Sequence, residues 1–142
     1  MNYVYLIAPI TSAFLAQIIK MIINAVNGKF SWNDLNSYGG MPSSHAALVI
    51  SLAATAGYYE GFDSFPFAIA IILALIVIRD AGGFRRVLGF HAEEINDIIH
   101  TLKPTEAYKH EHLNEIIGHT PMQLFVGSVL GLVVAIAYIL IF

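Results

Sequence analysis

The chain contains no cysteine, which excludes disulfides and thiolate metal sites and leaves redox compartment unmarked. It is also poor in charge. Asp, Glu, Lys and Arg make up 12% of its residues, about half of what a soluble domain carries. The charge present sums to −3 at neutral pH, so phosphate electrostatics give it no hold on nucleic acid. No basic residue precedes the first apolar run at Tyr3. A cleavable signal peptide needs a positive leader, so a retained helix is expected there. Neither an internal repeat nor a low-complexity segment breaks the 142 residues, and that length suits one membrane domain, 1–142.

Apolar runs fill the space that charge leaves. Hydrophobic residues make up 57% of the chain and mean hydropathy is +0.69. Four runs come near the roughly 20 residues that cross a bilayer as a helix. They are Tyr3 to Val26, Pro42 to Tyr59, Phe65 through Ile78, and Pro121 to Phe142. The third reaches spanning length only by taking in Arg79, Asp80 and the stretch Ala81-Gly82-Gly83. From Phe84 to His119 the chain is polar, yet Ile95, Ile98, Ile99 and Leu102 fall at i, i+3, i+4, i+7, an amphipathic helix pattern. Leu113, Ile116 and Ile117 repeat it briefly after Pro104. Such a segment lies in the membrane interface or packs on the bundle. The expected fold is all-α: a polytopic bundle of four transmembrane helices, with an interfacial amphipathic segment between spans three and four.

The basic residues fall in or beside two connections. Lys20 and Lys29 flank the first, and Arg79, Arg85, Arg86, Lys103 and Lys109 belong to the third, while Tyr58 to Ser64 holds only Glu60 and Asp63. The positive-inside rule places the two basic loops in the cytoplasm and both termini outside.

Two helix starts carry the candidate chemistry. Gly39-Gly40-Met41-Pro42-Ser43-Ser44-His45 precedes the second span. Its glycines let backbone approach a ligand, Ser43 and Ser44 are good N-caps, and a helix N-terminus attracts anions. His45 in that first turn could protonate a leaving oxygen; an ordinary capped helix start is the plainer reading. Thr120, Pro121 and Gln123 form a capping-box pattern before the fourth span. That accounts for all three without chemistry but leaves His119 unexplained at the same membrane edge. Lys20, Arg79, Asp80, Arg85 and Arg86 add ionisable groups at the membrane boundary, where such groups are functional candidates. Snorkelling to headgroups and an Arg79–Asp80 pair are the alternatives. Together these residues suit a phosphate monoester whose apolar remainder stays in the bilayer.

Gly-Met-Pro-Ser-Ser-His-Ala at 40–46, Asp-Ala-Gly-Gly-Phe-Arg-Arg at 80–86 and Leu-Asn-Glu-Ile-Ile-Gly-His-Thr-Pro at 113–121 resemble the divergent branch of the type-2 phosphatidic acid phosphatase superfamily. That branch is labelled acid phosphatase/vanadium-dependent haloperoxidase-related. The resemblance implies metal-free, cofactor-free chemistry in which His119 attacks phosphorus to form a phosphohistidine and His45 acts as general acid. Lys20, Ser43, Ser44, Arg85 and Arg86 would hold the phosphate. Three positions depart from the superfamily pattern. Ser44 replaces a glycine, more than thirty residues separate Arg86 from His119, and Gln123 stands where an aspartate would orient the histidine. Asp80 is a second candidate for that carboxylate, and Arg79 a supporting cation.

Two functions follow. One is a lipid-phosphate phosphatase acting on phosphatidate, phosphatidylglycerophosphate or a polyprenyl phosphate. The other is a non-catalytic protein that binds or moves such lipids, or a subunit of a larger membrane assembly. Four spans make a thin bundle, which a homodimer or larger complex would thicken. Metal binding through His110, Glu111, His112 and Glu115, or through His91, Glu94 and Asp97, is a weak third reading, because scattered His/Glu spacing also fits a solvated loop. Gly127 and Gly131 form a Gly-xxx-Gly pattern in the last span, suited to close helix packing.

Overall fold

The computed structural model describes residues 3–28, 39–101, 112–115 and 117–142. Lys29, Leu102, Lys103, Pro104, Lys109, His110, Glu111 and Ile116 lie outside them. The described chain forms α1 (Val4–Val26), α2 (Ser44–Glu60), α3 (Phe65–Arg79), α4 (Arg85–Thr101) and α5 (Pro121–Ile141), with a π-helical turn, Asp80–Phe84, joining α3 to α4. The described residues contain no strand.

Local chemistry starts three of these helices. Ser43 Oγ accepts from the Ala46 N–H at the head of α2. Ser64 does the same for Phe67 in α3, with Pro66 in the first turn. Thr120 and Gln123 complete the anticipated capping box at α5, and each cap satisfies amides that the helix leaves unpaired.

Three helices are long and apolar enough to cross a membrane: Val4–Val26, the continuous helix over 65–101, and Pro121–Ile141. The chain is a membrane protein. α2 is shorter, at 17 residues, and rich in Ala, Gly and Ser. It packs against α1, α3 and α5, with Ala46, Ala47, Val49, Ser51, Ala53, Thr55, Ala56 and Gly57 buried. A helix surrounded by helices needs small side chains for close backbone approach, not the bulk that faces lipid. Against it, a Cβ on Gly127 would overlap the Ser43 carbonyl oxygen, and one on Gly131 that of Ala47. The Gly-xxx-Gly pattern thus packs α5 onto α2 within one chain. α1 offers a matching stripe of Ala8, Ser12, Ala16 and Lys20, all buried at four-residue spacing. α3 is peripheral: Ala70 and Ala74 are its buried residues, while Ile72, Leu75 and Ile76 are exposed.

The structure differs from the sequence expectation after Phe84. The polar stretch does not open a separate element, because the helix runs through the π-turn for 37 residues in all. At about 1.5 Å per residue this is about 55 Å, beyond the roughly 30 Å hydrocarbon core. Within α4, Gly89, Ala92 and Asn96 are buried, whereas Ile95 and Ile98 of the apolar stripe are exposed. The small residues on the first face let returning chain lie along the helix. A Cβ on Gly89 would come within 2.7 Å of the Glu115 carbonyl oxygen and 3.0 Å of that of Ile117.

Candidate phosphate-ester site at the ends of the helices

Lys20 sits on the buried stripe of α1 and is only 3% exposed. Its ammonium donates to the Gly39 carbonyl at 3.2 Å. Gly40 follows with φ of +95°, a left-handed conformation that favours glycine. A Cβ there would meet Lys20 Cδ at 2.9 Å. Gly40 therefore lets the turn close over the lysine stem, with the Gly39 carbonyl facing the ammonium. A snorkelling lysine would be exposed; this one is enclosed by protein.

His119 is 4% exposed and its position is over-determined. Its backbone N–H donates to the Ala81 carbonyl at 2.9 Å, inside the π-turn, where helical hydrogen bonding is irregular. Gly118, with φ of +90°, turns the chain just before it. A Cβ on Gly118 would lie 2.5 Å from the Arg86 amide nitrogen. Gly118 therefore packs on the backbone at the head of α4, which brings the segment before His119 back to the arginines despite their separation in sequence.

The imidazole tautomer follows from its partners. Gln123 Oε1 accepts the Thr120 N–H at 3.0 Å, so that atom must be the amide oxygen. His119 Nδ1 lies 3.3 Å from the same oxygen and 3.1 Å from the Gly40 carbonyl. Both partners are acceptors, so Nδ1 carries the hydrogen and donates it. The lone pair of neutral His119 is then on Nε2. Burial pushes the His119 pKa below its ordinary value, and the nearby His45 and Lys20 act in the same direction against Gln123 and Gly40. The ring is therefore neutral at neutral pH. His45, from the first turn of α2, stands edge-on with its ring centroid 6.3 Å away.

The arginines part company. Arg85 Nε donates to Asp80 Oδ2 at 2.6 Å, and this pair lies within electrostatic reach of His45. Asp80 is thereby engaged with Arg85 and does not supply a carboxylate to His119. Arg86 turns away, with its guanidinium 5.5 Å from the centre of the Phe90 ring. It lines a cavity of about 210 Å³ with Gly40, Glu93, Glu115, His119 and Gln123 among its walls. Arg79 is exposed and takes no part in these contacts.

Sequence reasoning missed Asn96. It is 8% exposed and grips the return segment. Its Nδ2 donates to the Leu113 carbonyl at 2.9 Å and to Glu115 Oε1 at 2.8 Å, and its Oδ1 accepts the Leu113 N–H at 3.0 Å. Its Nδ2 also lies 3.2 Å from His112 Nδ1. The signal available was the spacing Gly89, Ala92, Asn96, a second face of small and amide residues beside the isoleucine stripe. His91, Glu94 and Asp97 do not gather: the described residues hold no cluster of three metal-ligating side chains.

The site joins segments from both halves of the chain, and so do the comparisons with known proteins. No solved structure matches. The chain is 34% identical over 143 residues to the uncharacterized membrane protein YuiD of Bacillus subtilis (strain 168), a match covering 92% of this chain and 90% of that one. The model of the Divergent PAP2 family matches residues 1–134. That range takes in Lys20, the glycine turn, the π-turn and His119, and with nearly the whole sequence matched the chain belongs to the divergent PAP2 family.

Proposed function

We propose that this protein is a membrane lipid-phosphate phosphatase working through a phosphohistidine. The observation that carries the reading is the hydrogen bonding of His119: with Nδ1–H held by Gly40 and Gln123, Nε2 is the nucleophilic nitrogen. Nε2 attacks phosphorus, and a P–N bond forms as the P–O bond to the lipid breaks. His45 gives its proton to the departing lipid oxygen. Water then gives a proton to His45 as its oxygen attacks phosphorus and the P–N bond breaks, releasing inorganic phosphate and restoring both neutral His119 and the acid. Lys20, Arg85 and the amides at the head of α2, beside Ser43 and Ser44, neutralise charge that builds on the phosphoryl oxygens. Arg86 serves from the adjoining cavity. None of these roles calls for a metal or cofactor.

α2 is the fourth crossing in this reading. Its 17 residues give about 25 Å, and its neighbours shield it from lipid. The site end of the bundle, carrying the arginines, faces the cytoplasm by the positive-inside rule, with both termini outside. The outward isoleucines of α4 lie in that interface, where an amphipathic helix buries its apolar face.

One observation favours a second reading. Among the described residues the partners of His119 Nδ1 are neutral oxygens, and a carboxylate there would stabilise the imidazolium better. A protein that binds lipid phosphate without turning it over has no need of that carboxylate. Phosphate release from lipid phosphates by the purified protein, with chelator present and His119→Ala alongside, decides between them. Turnover that disappears in the variant is expected. Lipid phosphate bound by folded protein without release would overturn the phosphatase.

A further inference from the structure

The cavity beside His119 differs in chemistry from the cradle assigned to the phosphate. The cradle is cationic: Lys20, Arg85 and a helix N-terminus. The cavity mixes Arg86 and the Phe90 ring with two carboxylates, Glu93 and Glu115. Its walls come largely from the inserted stretch. Arg86, Phe90 and Glu93 share one face of α4, and Glu115 comes from the return segment. Asn96 holds Glu115 Oε1 at 2.8 Å. The same oxygen lies 3.7 Å from His112 Nε2.

Size and charge together restrict the occupant. About 210 Å³ is the room of roughly seven waters at about 30 Å³ each, enough for a glycerol or a sugar. An acyl or isoprenoid chain placed there would desolvate two carboxylates and pair neither. A second phosphate inside the cavity would meet the same carboxylates as like charges, so the phosphodiester of a larger headgroup has to lie outside it. Hydroxyl groups satisfy every wall: carboxylates accept O–H in charge-assisted bonds, the guanidinium donates to hydroxyl oxygen, and the ring covers C–H surface.

We propose that this cavity binds a hydroxyl-bearing group, a glycerol or a sugar, attached to the phosphate that His119 attacks. This rests on the phosphatase reading and narrows it to phosphomonoesters of polyols. Phosphatidylglycerophosphate has a free hydroxyl beside its terminal phosphate; phosphatidate and polyprenyl phosphate do not. Glu93 and Glu115 thereby set specificity.

The test compares phosphate release from phosphatidylglycerophosphate, phosphatidate, a polyprenyl phosphate and soluble glycerol 3-phosphate by wild-type protein in lipid nanodiscs. Glu93→Gln, Glu115→Gln and the double variant run beside it. Glutamine at 115 keeps an acceptor for Asn96, and Glu93 is exposed, so neither change threatens the fold. The glycerol-bearing lipid should exceed phosphatidate at least tenfold in kcat/KM, and the double variant should bring that ratio down at least fivefold. A wild-type ratio near one, or a ratio the double variant leaves intact, overturns the proposal. Soluble glycerol phosphate turned over as well as the lipid would assign the cavity to free polyol phosphates. Slow turnover of it assigns the cavity to the lipid headgroup. If no ester releases phosphate, the phosphatase reading falls by itself. Headgroup preference is then read as binding of the same lipids to wild-type protein, and equal binding would sink it.

Discussion

His119 is oriented by two neutral oxygens, one from backbone and one from a side chain that also caps a helix. Because its pKa is held below the ordinary imidazole value of about 6.5, its neutral form persists as pH falls through that value. The acid limb of kcat/KM for phosphate release should therefore have its midpoint below pH 6.5; a limb centred near 7.5 would contradict the assignment. Gln123→Glu keeps the acceptor for Thr120 and adds charge beside Nδ1–H. An adjacent carboxylate favours the imidazolium, so the same limb should move up by about one pH unit, and a pH profile of the variant shows it. These residues differ in how far the sequence revealed them. Thr120 and Gln123 were legible because a capping box closes within four residues. Gly40 as a partner of His119 was not, because that bond spans 79 positions and engages a backbone carbonyl that no motif advertises. Arg85 and Arg86 could not be told apart either, since the π-turn before them sets the direction in which each side chain leaves the helix.

At the scale of elements, the helix over 65–101 and its return strap act together. The sequence reading carries the third span as far as Gly83 and starts a separate polar stretch at Phe84. The backbone instead tightens no loop and stays helical, with Ala81 offering its carbonyl to His119. In α4 the isoleucines Ile95 and Ile98 are exposed, and the buried face is the one carrying Gly89, Ala92 and Asn96. Hydrophobic spacing reports which residues avoid water, and near a bilayer that surface need not be the protein's own interior. Asn96 is the strongest link between α4 and the strap. Asn96→Ala would remove the acceptor of the Leu113 N–H and one of two partners of the Leu113 carbonyl, which His112 Nδ1 also approaches, a cost of about 0.5–1.5 kcal/mol per bond lost. Amide hydrogen exchange at Leu113 and His119 should rise in that variant, and exchange unchanged from wild type would remove the clamp from the account. Phosphate release should fall about tenfold or more as His119 loses its fixed position.

For the whole molecule, hydropathy located the long helices but not their arrangement. The central helix is the one whose composition is least typical of a span, because hydropathy records contact with lipid and α2 has little. Small residues at four-residue spacing on α1, α2 and α5 carry that information instead. Gly131→Leu should force the last helix off Ala47, destabilising the bundle by roughly 1–3 kcal/mol or more, since backbone on the other side cannot rotate away. Leu132→Ile, at an exposed neighbouring position, should leave stability nearly unchanged. Unfolding in mixed detergent micelles compares the two, and equal curves would argue against a close α2–α5 contact.

The order of the parts along the chain has a consequence for biosynthesis. Lys20 and the glycine turn emerge first, and His119 and the helix that covers α2 follow much later. A ribosome must therefore release the 79 positions between Gly40 and His119 before the two can meet. Until α5 enters the membrane, the small-residue face around Ser43 and Ala47 lacks the neighbour that Gly127 and Gly131 bring. Assembly of the bundle and completion of the site are thus one event, set by the arrival of α5.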